Sequence, residues 1–124
     1  MGKNWQMSDL TIHQLTESLR DFAQERDWES FHTPKNLVLA LVGEVGELSA
    51  EFQWLDEHGS RNLSSEQQHQ VASEIADVAS YLFRLSDVLD IDLAQALAEK
   101  IELNRVRYPV DKAKGSAAKY TTYE

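Results

Sequence analysis

Proline occurs twice in this chain, at Pro34 and Pro109, and the stretch between them carries apolar side chains at three-to-four-residue spacing with almost no strand-like alternation. A chain with that spacing and no internal proline can build helices and offers little to a sheet. The expected fold class is all-α. Thr33 followed by Pro34 forms an N-cap and first-turn pair, opening a helix expected to run to about His58 and stop at Gly59, with GSRNLSS as the following loop. An earlier helix is expected from Ser8 or Asp9 to Arg26, on the spacing of Ile12, Leu15, Leu19 and Phe22. Ser64 or Ser65 caps a third that reaches about Leu89, and Asp92, with Gln95 three residues on, opens a fourth that ends before Pro109. Residues 110–124 lack periodicity and are expected to form an extended tail. The expectation is a single 1–124 domain with a four-helix core over about residues 8–109.

Charge narrows the range of partners. With 21 acidic against 12 basic residues the net charge is −9, which argues against docking on nucleic acid or an anionic membrane, since both need clustered Lys and Arg. Cysteine is absent, so disulfides, zinc-thiolate sites and thiol catalysis are excluded. No apolar run reaches the roughly 18 residues of a membrane span, and MGKNWQMSD lacks the apolar core of a signal peptide. A soluble, cytoplasmic protein is expected.

The helix after Pro34, LVLALVGEVGELSAEFQWL, is very apolar and yet carries Glu44 and Glu47 one turn apart. At 100° per residue, Val45, Leu48, Phe52 and Leu55 fall within about 40° of Leu41, while Glu44 and Glu47 lie at about −60° and −120°, beside that seam. The third helix repeats the arrangement thirty residues later: Val71, Ile75, Val78, Leu82 and Leu85 form the seam, with Glu74 and Asp77 on the same flank. Helices joined by a short loop pack antiparallel, and seam-to-seam packing then sends both acid pairs to one side. Four carboxylates should converge. ExxE is common on solvated helices, but acids bordering an apolar seam repel one another unless a cation lies between them. An all-oxygen set suits a hard ion: Mg²⁺ first, with Mn²⁺ able to substitute. Mg²⁺ held by carboxylates keeps positions open for water and phosphates, which points to phosphate chemistry. Gly43 and Gly46 each cost a helix about 1 kcal/mol against alanine, and either close helix packing or a ligand accounts for them.

The pattern of Glu44, Glu47, Glu74 and Asp77 resembles the signature of the all-α nucleoside triphosphate pyrophosphohydrolases, the MazG-like superfamily. The resemblance extends through FAQERDWESFHTPKNLVLALVGEVGELSAEFQW, EIADVASYL, Lys100, Asn104, Arg107-Tyr108-Pro109 and KGSAAKYT, and is strongest to the dCTP pyrophosphatase branch. It covers about Leu15 to Thr121. It implies a tetramer built from two dimers, Mg²⁺ dependence, and cleavage of a deoxynucleoside triphosphate to the monophosphate and pyrophosphate.

By that resemblance Glu44, Glu47, Glu74 and Asp77 are the metal ligands and the catalytic acids, one of which acts as base. Trp28, Trp54, Tyr81 and Tyr108 match positions around the nucleobase and sugar, although core packing is the ordinary use of each such ring. Lys100, Asn104 and Tyr108 recur every four residues on one face of the last helix; Lys100 suits a phosphate oxygen and Asn104 a sugar hydroxyl or base edge. The basic tail, with Lys112, Lys114 and Lys119, either closes on a triphosphate or packs on the surface. His32, beside the Thr33 cap, is read as structural. Leu19 departs from the histidine that animal members carry near the substrate. The base preference expected is dCTP or a modified dCTP, with a broad, dATP-preferring or dUTP-preferring enzyme as the alternative.

Two rival readings stand outside that family. A ferritin-like di-iron site wants inward Glu-x-x-His pairs, and the one such spacing inside an expected helix, Glu66 to His69, turns His69 about 160° from the seam. A non-enzymatic helical oligomerisation module with a structural cation would use the same acids without hydrolysing a nucleotide.

Overall fold

The computed structural model describes residues 6–124. In chain order it contains a 3-10 turn at Met7–Asp9, α1 (Ile12–Glu25), a 3-10 turn at Glu29–Phe31, α2 (Pro34–Phe52), α3 (Glu57–Arg61), α4 (Ser65–Val88), α5 (Leu93–Arg107), α6 (Val110–Ala113) and a 3-10 turn at Tyr120–Tyr123. No strand occurs among the described residues, so the class is all-α as expected, with six helices in place of four. None of these helices is long and apolar enough to cross a membrane. The expectation about MGKNWQMSD falls largely on residues 1–5, outside the described residues.

Capping chemistry decides where the helices begin. Thr11 and Gln14 form a reciprocal capping box, each side chain bonding the other's backbone N–H, so α1 starts at Ile12 and the Ser8 or Asp9 start is too early. Thr33 accepts from the Asn36 N–H with Pro34 in the first turn, and Ser64 with Gln67 builds a second capping box for α4. Asp92 caps α5 through the Gln95 N–H.

The expected second helix is corrected at its C-terminal end. It stops at Phe52, and Asp56 starts a new helix by accepting the Gly59 N–H at 2.7 Å. Gly59 is therefore in the first turn of α3 and does not act as a stop signal. A Cβ on Gly59 would lie 3.1 Å from the Asp56 carboxylate oxygen, so glycine leaves room for the cap. After α1 and α4 the chain reverses through Asp27 and Asp90, both with positive φ (54° and 56°), the left-handed conformation usually assigned to glycine at a helix C-terminus.

The described chain forms two compact units, the first ending at Ile91 and the second spanning Asp92–Glu124. In the first, α4 packs against both α2 and α1. Its apolar core is small: Ala23, Leu37 and Val71 are the buried hydrophobic residues among those described, and Leu37 is the large one with almost no exposure. In the second unit the tail is folded, which corrects the extended reading. Tyr120–Tyr123 packs against α5, and Tyr108 makes edge-to-face contacts with the rings of Tyr120 and Tyr123, at centroid separations of 6.2 and 6.1 Å. The Arg107 guanidinium lies 4.4 Å from the centre of the Tyr120 ring.

Candidate metal and nucleotide site

The stripe along which α2 meets α4 is rotated toward the acids. On α2 the less exposed positions are Leu37, Ala40, Leu41, Glu44, Leu48, Glu51 and Phe52; on the first half of α4 they are Gln67, Val71, Glu74 and Val78, and from there to Asp87 every position but Leu82 is at least half-buried, because α1 packs there as well. Val45, Ile75 and Leu82, expected in the seam, are 46%, 52% and 40% exposed. The shift is about 30° around each helix at 100° per residue. Its consequence is that Glu44 and Glu74 belong to the packed stripe itself, and Glu74 is only 8% exposed.

One carboxylate oxygen from each of Glu44, Glu47, Glu74 and Asp77 lies within 4.8 Å of the others. Glu47 and Asp77 are exposed, whereas Glu44 is half-buried and Glu74 buried. Burial, followed by the negative charge of Glu47, raises the Glu44 carboxyl above the ordinary carboxylate range, and Asp77 and Glu74 add to the effect. Burial also raises Glu74, opposed by the Gln70 amide, which donates to it at 3.0 Å, and reinforced by the charges of Glu47 and Asp77. The Oε2 atoms of both Glu44 and Glu74 are buried without a hydrogen-bond partner. Buried carboxylate oxygens left unpaired among like charges are costly, and a divalent cation between four oxygen donors removes both penalties. The donor set fits a hard metal ion.

A cavity of about 330 Å³ opens beside the acids. Glu44 and Asp77 form its acidic end, Leu19, Phe22, Trp28 and Tyr81 supply its apolar and aromatic wall, and Ser80, His32 and Arg84 complete it. Phe22 and Trp28 meet edge to face at 5.6 Å between centroids, and Trp28 meets His32 at 6.2 Å. Arg84 is 7% exposed. Its Nε donates to His32 Nδ1 at 3.0 Å and its Nη1 to Asp87 at 2.9 Å, while Arg20 from α1 grips Asp87 through two hydrogen bonds of 2.6 and 2.9 Å.

Of the residues singled out in the sequence, the four acids converge, and Trp28 and Tyr81 line the adjoining cavity. Trp54 lies past the end of α2, 88% exposed and absent from the cavity wall. Lys100 and Asn104 are exposed on α5, in the second unit, and Tyr108 at its end packs against the tail. Sequence reasoning passed over Arg20, Arg84 and Asp87 and took His32 as structural. The available signal was Arg84 itself, two turns beyond Asp77 on the same face of α4, ending the largely apolar stretch VASYLF, with a carboxylate one turn further on.

The model of the MazG-like family matches residues 40–122, which include all four acids. The chain belongs to the MazG-like family. Among its relatives, dCTP pyrophosphatase 1 of Bos taurus is 45% identical over 92% of this chain and 69% of its own length. The human dCTP pyrophosphatase 1 is 43% identical over 90% of this chain and 66% of its own length, so the chain spans about two thirds of these family members. A crystal structure of a pyrophosphatase from Archaeoglobus fulgidus superposes with a TM-score of 0.73 at 37% identity, covering 79% of this chain and 92% of that one. The family assignment therefore agrees with the resemblance carried by the acid motifs, and the all-α fold with the expectation drawn from the apolar spacing.

Proposed function

We propose that this protein hydrolyses dCTP to dCMP and pyrophosphate at the carboxylate cluster, with Mg²⁺ as its metal and Mn²⁺ able to replace it, acting in the cytoplasm to sanitise the nucleotide pool. The observation that carries the reading is the pair of buried, unpartnered oxygens on Glu44 and Glu74, set among four convergent acids at the end of a cavity walled by aromatic rings. Relatives named as dCTP pyrophosphatases support the choice of substrate.

Glu44, Glu47, Glu74 and Asp77 would hold the metal. A bound divalent cation would supply charge neutralisation for the triphosphate and lower the pKa of a coordinated water. The chain's own contribution is positional. Glu44 and Asp77 belong both to the acid cluster and to the cavity wall, so a nucleotide whose base lies between Trp28, Phe22 and Tyr81 directs its phosphates toward the acids. One carboxylate takes the proton of the attacking water, the new oxygen–phosphorus bond forms at the α-phosphorus, and pyrophosphate leaves from the opposite side. Lys100 and Asn104, exposed on α5, together with Tyr108, are proposed to bind the substrate's phosphate and sugar, and Trp54 to contact it in the assembled protein.

The assembly proposed is a homotetramer of two dimers. Its support is the exposed face of α2, where Leu39 and Val42 are 60% and 63% exposed, and a Cβ on Gly43 or Gly46 would meet nothing within 4 Å among the described residues. The glycines leave open space where a second copy can approach.

The deciding experiment identifies the products formed from each dNTP with Mg²⁺, alongside EDTA and Glu47→Gln controls. Monophosphate and pyrophosphate, formed fastest from dCTP and abolished in both controls, is the expected result. The same products with dATP or dUTP preferred would keep the reaction and change the substrate. No turnover, with Mg²⁺ still raising the melting temperature, would leave the cluster as a structural cation site.

A further inference from the structure

The cavity beside the acids is chemically polar at both ends. One end holds Glu44 and Asp77 and the other Arg84 and His32, with Leu19, Phe22, Trp28 and Tyr81 between. Asp77 and Arg84 are seven residues apart on α4, a rise of about 10 Å, comparable to the span from an α-phosphate to the far edge of a pyrimidine. Phosphates at the acids therefore place the base edge at Arg84. A polyphosphate at the Arg84 end is disfavoured, because Asp87 already offsets the guanidinium and the intervening wall is aromatic and aliphatic.

The hydrogen bonds around Arg84 determine what it can offer. Nε and Nη1 are engaged by His32 and Asp87, whereas Nη2 has no protein acceptor among the described residues. His32 accepts at Nδ1, which puts its hydrogen on Nε2 and makes the ring neutral, in keeping with a pKa lowered by burial and by the Arg84 charge. The remaining capacity of both side chains is donation. Asp87, itself gripped by Arg20, fixes the guanidinium plane from behind.

We infer that Arg84, supported by His32, is the residue that selects the base, donating to the adjacent O2 and N3 acceptors of cytosine. Thymine and uracil present an N3–H hydrogen there, which would face a donor and leave both groups unpaired. Adenine pairs its acceptors with a donor amine. The inference rests on the dCTP reading above and adds the group that enforces it.

Substrate discrimination with and without the guanidinium tests it. Arg84→Met, checked for a cooperative melt, should lower kcat/KM for dCTP about 10–100-fold, mainly through KM, and bring the dCTP-to-dTTP ratio to within a few-fold. Inhibition by Mg²⁺-tripolyphosphate, which lacks a base, should be unchanged. An equal loss for every dNTP, or a dGTP preference in the native protein, would overturn the inference. Should the variant not fold, 3-deaza-dCTP decides with the unaltered protein, since it lacks the N3 acceptor: turnover equal to that of dCTP rejects the role, and a loss of tenfold or more supports it. If no nucleotide is hydrolysed the catalytic reading fails by itself, and tryptophan fluorescence then reports base selection directly. Tighter binding of dCMP than of dTMP, lost in Arg84→Met, sustains the inference, and equal binding of the two refutes it.

Discussion

Arg84 donates through Nε to Nδ1 of His32 at 3.0 Å, joining the C-terminal end of α4 to the turn before α2 across 52 residues of sequence. This contact sets the protonation of His32. An Nδ1 atom that accepts from a guanidinium cannot also hold a proton, so burial and the neighbouring positive charge both depress its pKa below 6.5.

A pH dependence follows from that depression. Below about pH 6.5 the unfolded chain protonates His32 while the folded chain resists, so the folded state loses stability as the pH falls through this window toward the folded-state value. With Mg²⁺ present throughout, the melting temperature should drop by a few degrees between neutral pH and the mid-fives. His32→Asn keeps an acceptor for Arg84 and has nothing to titrate, so its curve should be flatter. Identical curves for the two proteins would remove His32 as the source.

Asp87 shifts in the same direction but acts in stronger acid. The hydrogen bonds from Arg20 hold its carboxyl below the ordinary value of 3.8 against the opposing effect of burial, with the charges of Arg20 and Arg84 adding to the depression. The resulting stabilisation is fully present above that ordinary value and is lost as the pH falls through the folded-state value. Asp87→Asn should cost about 1–3 kcal/mol at neutral pH, because two guanidinium groups lose their shared acceptor; Arg20 is half-exposed, which keeps the figure modest. Chemical denaturation at neutral and acidic pH should show this difference shrinking in acid.

The acid cluster behaves in the opposite sense. Glu44 and Glu74 are raised in the metal-free chain, so the stability they confer when protonated is present below about pH 4.5 and lost as the pH rises through their folded-state values. Metal-free protein should therefore become easier to unfold toward neutral pH, and millimolar Mg²⁺ should reverse that loss. Glu74→Gln should melt several degrees higher than the native protein in EDTA and gain little from Mg²⁺. A Mg²⁺ shift that survives in Glu74→Gln would remove this residue from the metal site.

Assembly can be probed on the open face of α2. Val42→Arg places a charge beside Leu39, Gly43 and Gly46, at a position that is 63% exposed, so the fold should tolerate it. The solution mass should fall below that of a tetramer, with helical content retained. A native protein that runs as a monomer would dispose of the proposed assembly.

Much of this protein was legible in the sequence because its signals are local. Thr33-Pro34, Ser64 with Gln67, and Asp92 with Gln95 mark helix starts through bonds made within a single turn. The convergence of Glu44, Glu47, Glu74 and Asp77 was readable for a related reason: two helices with matching motifs and a short connection have few ways to pack. The break after Phe52 was hidden because the Asp56 cap competes with an apolar pattern that continues to Leu55.

What the sequence determined by itself is the helical class, the caps and the four acids on two facing helices, since periodicity and spacing act within one element or between neighbours. Only the tertiary structure decided how far each helix turns about its axis. That rotation left Val45 and Ile75 exposed, brought Glu44 and Glu74 into the packed stripe, and joined Arg20, Asp87, Arg84 and His32 from three parts of the chain. The physical reason is that a packing angle is set by the sum of many weak contacts across elements, and no short stretch of sequence contains that sum.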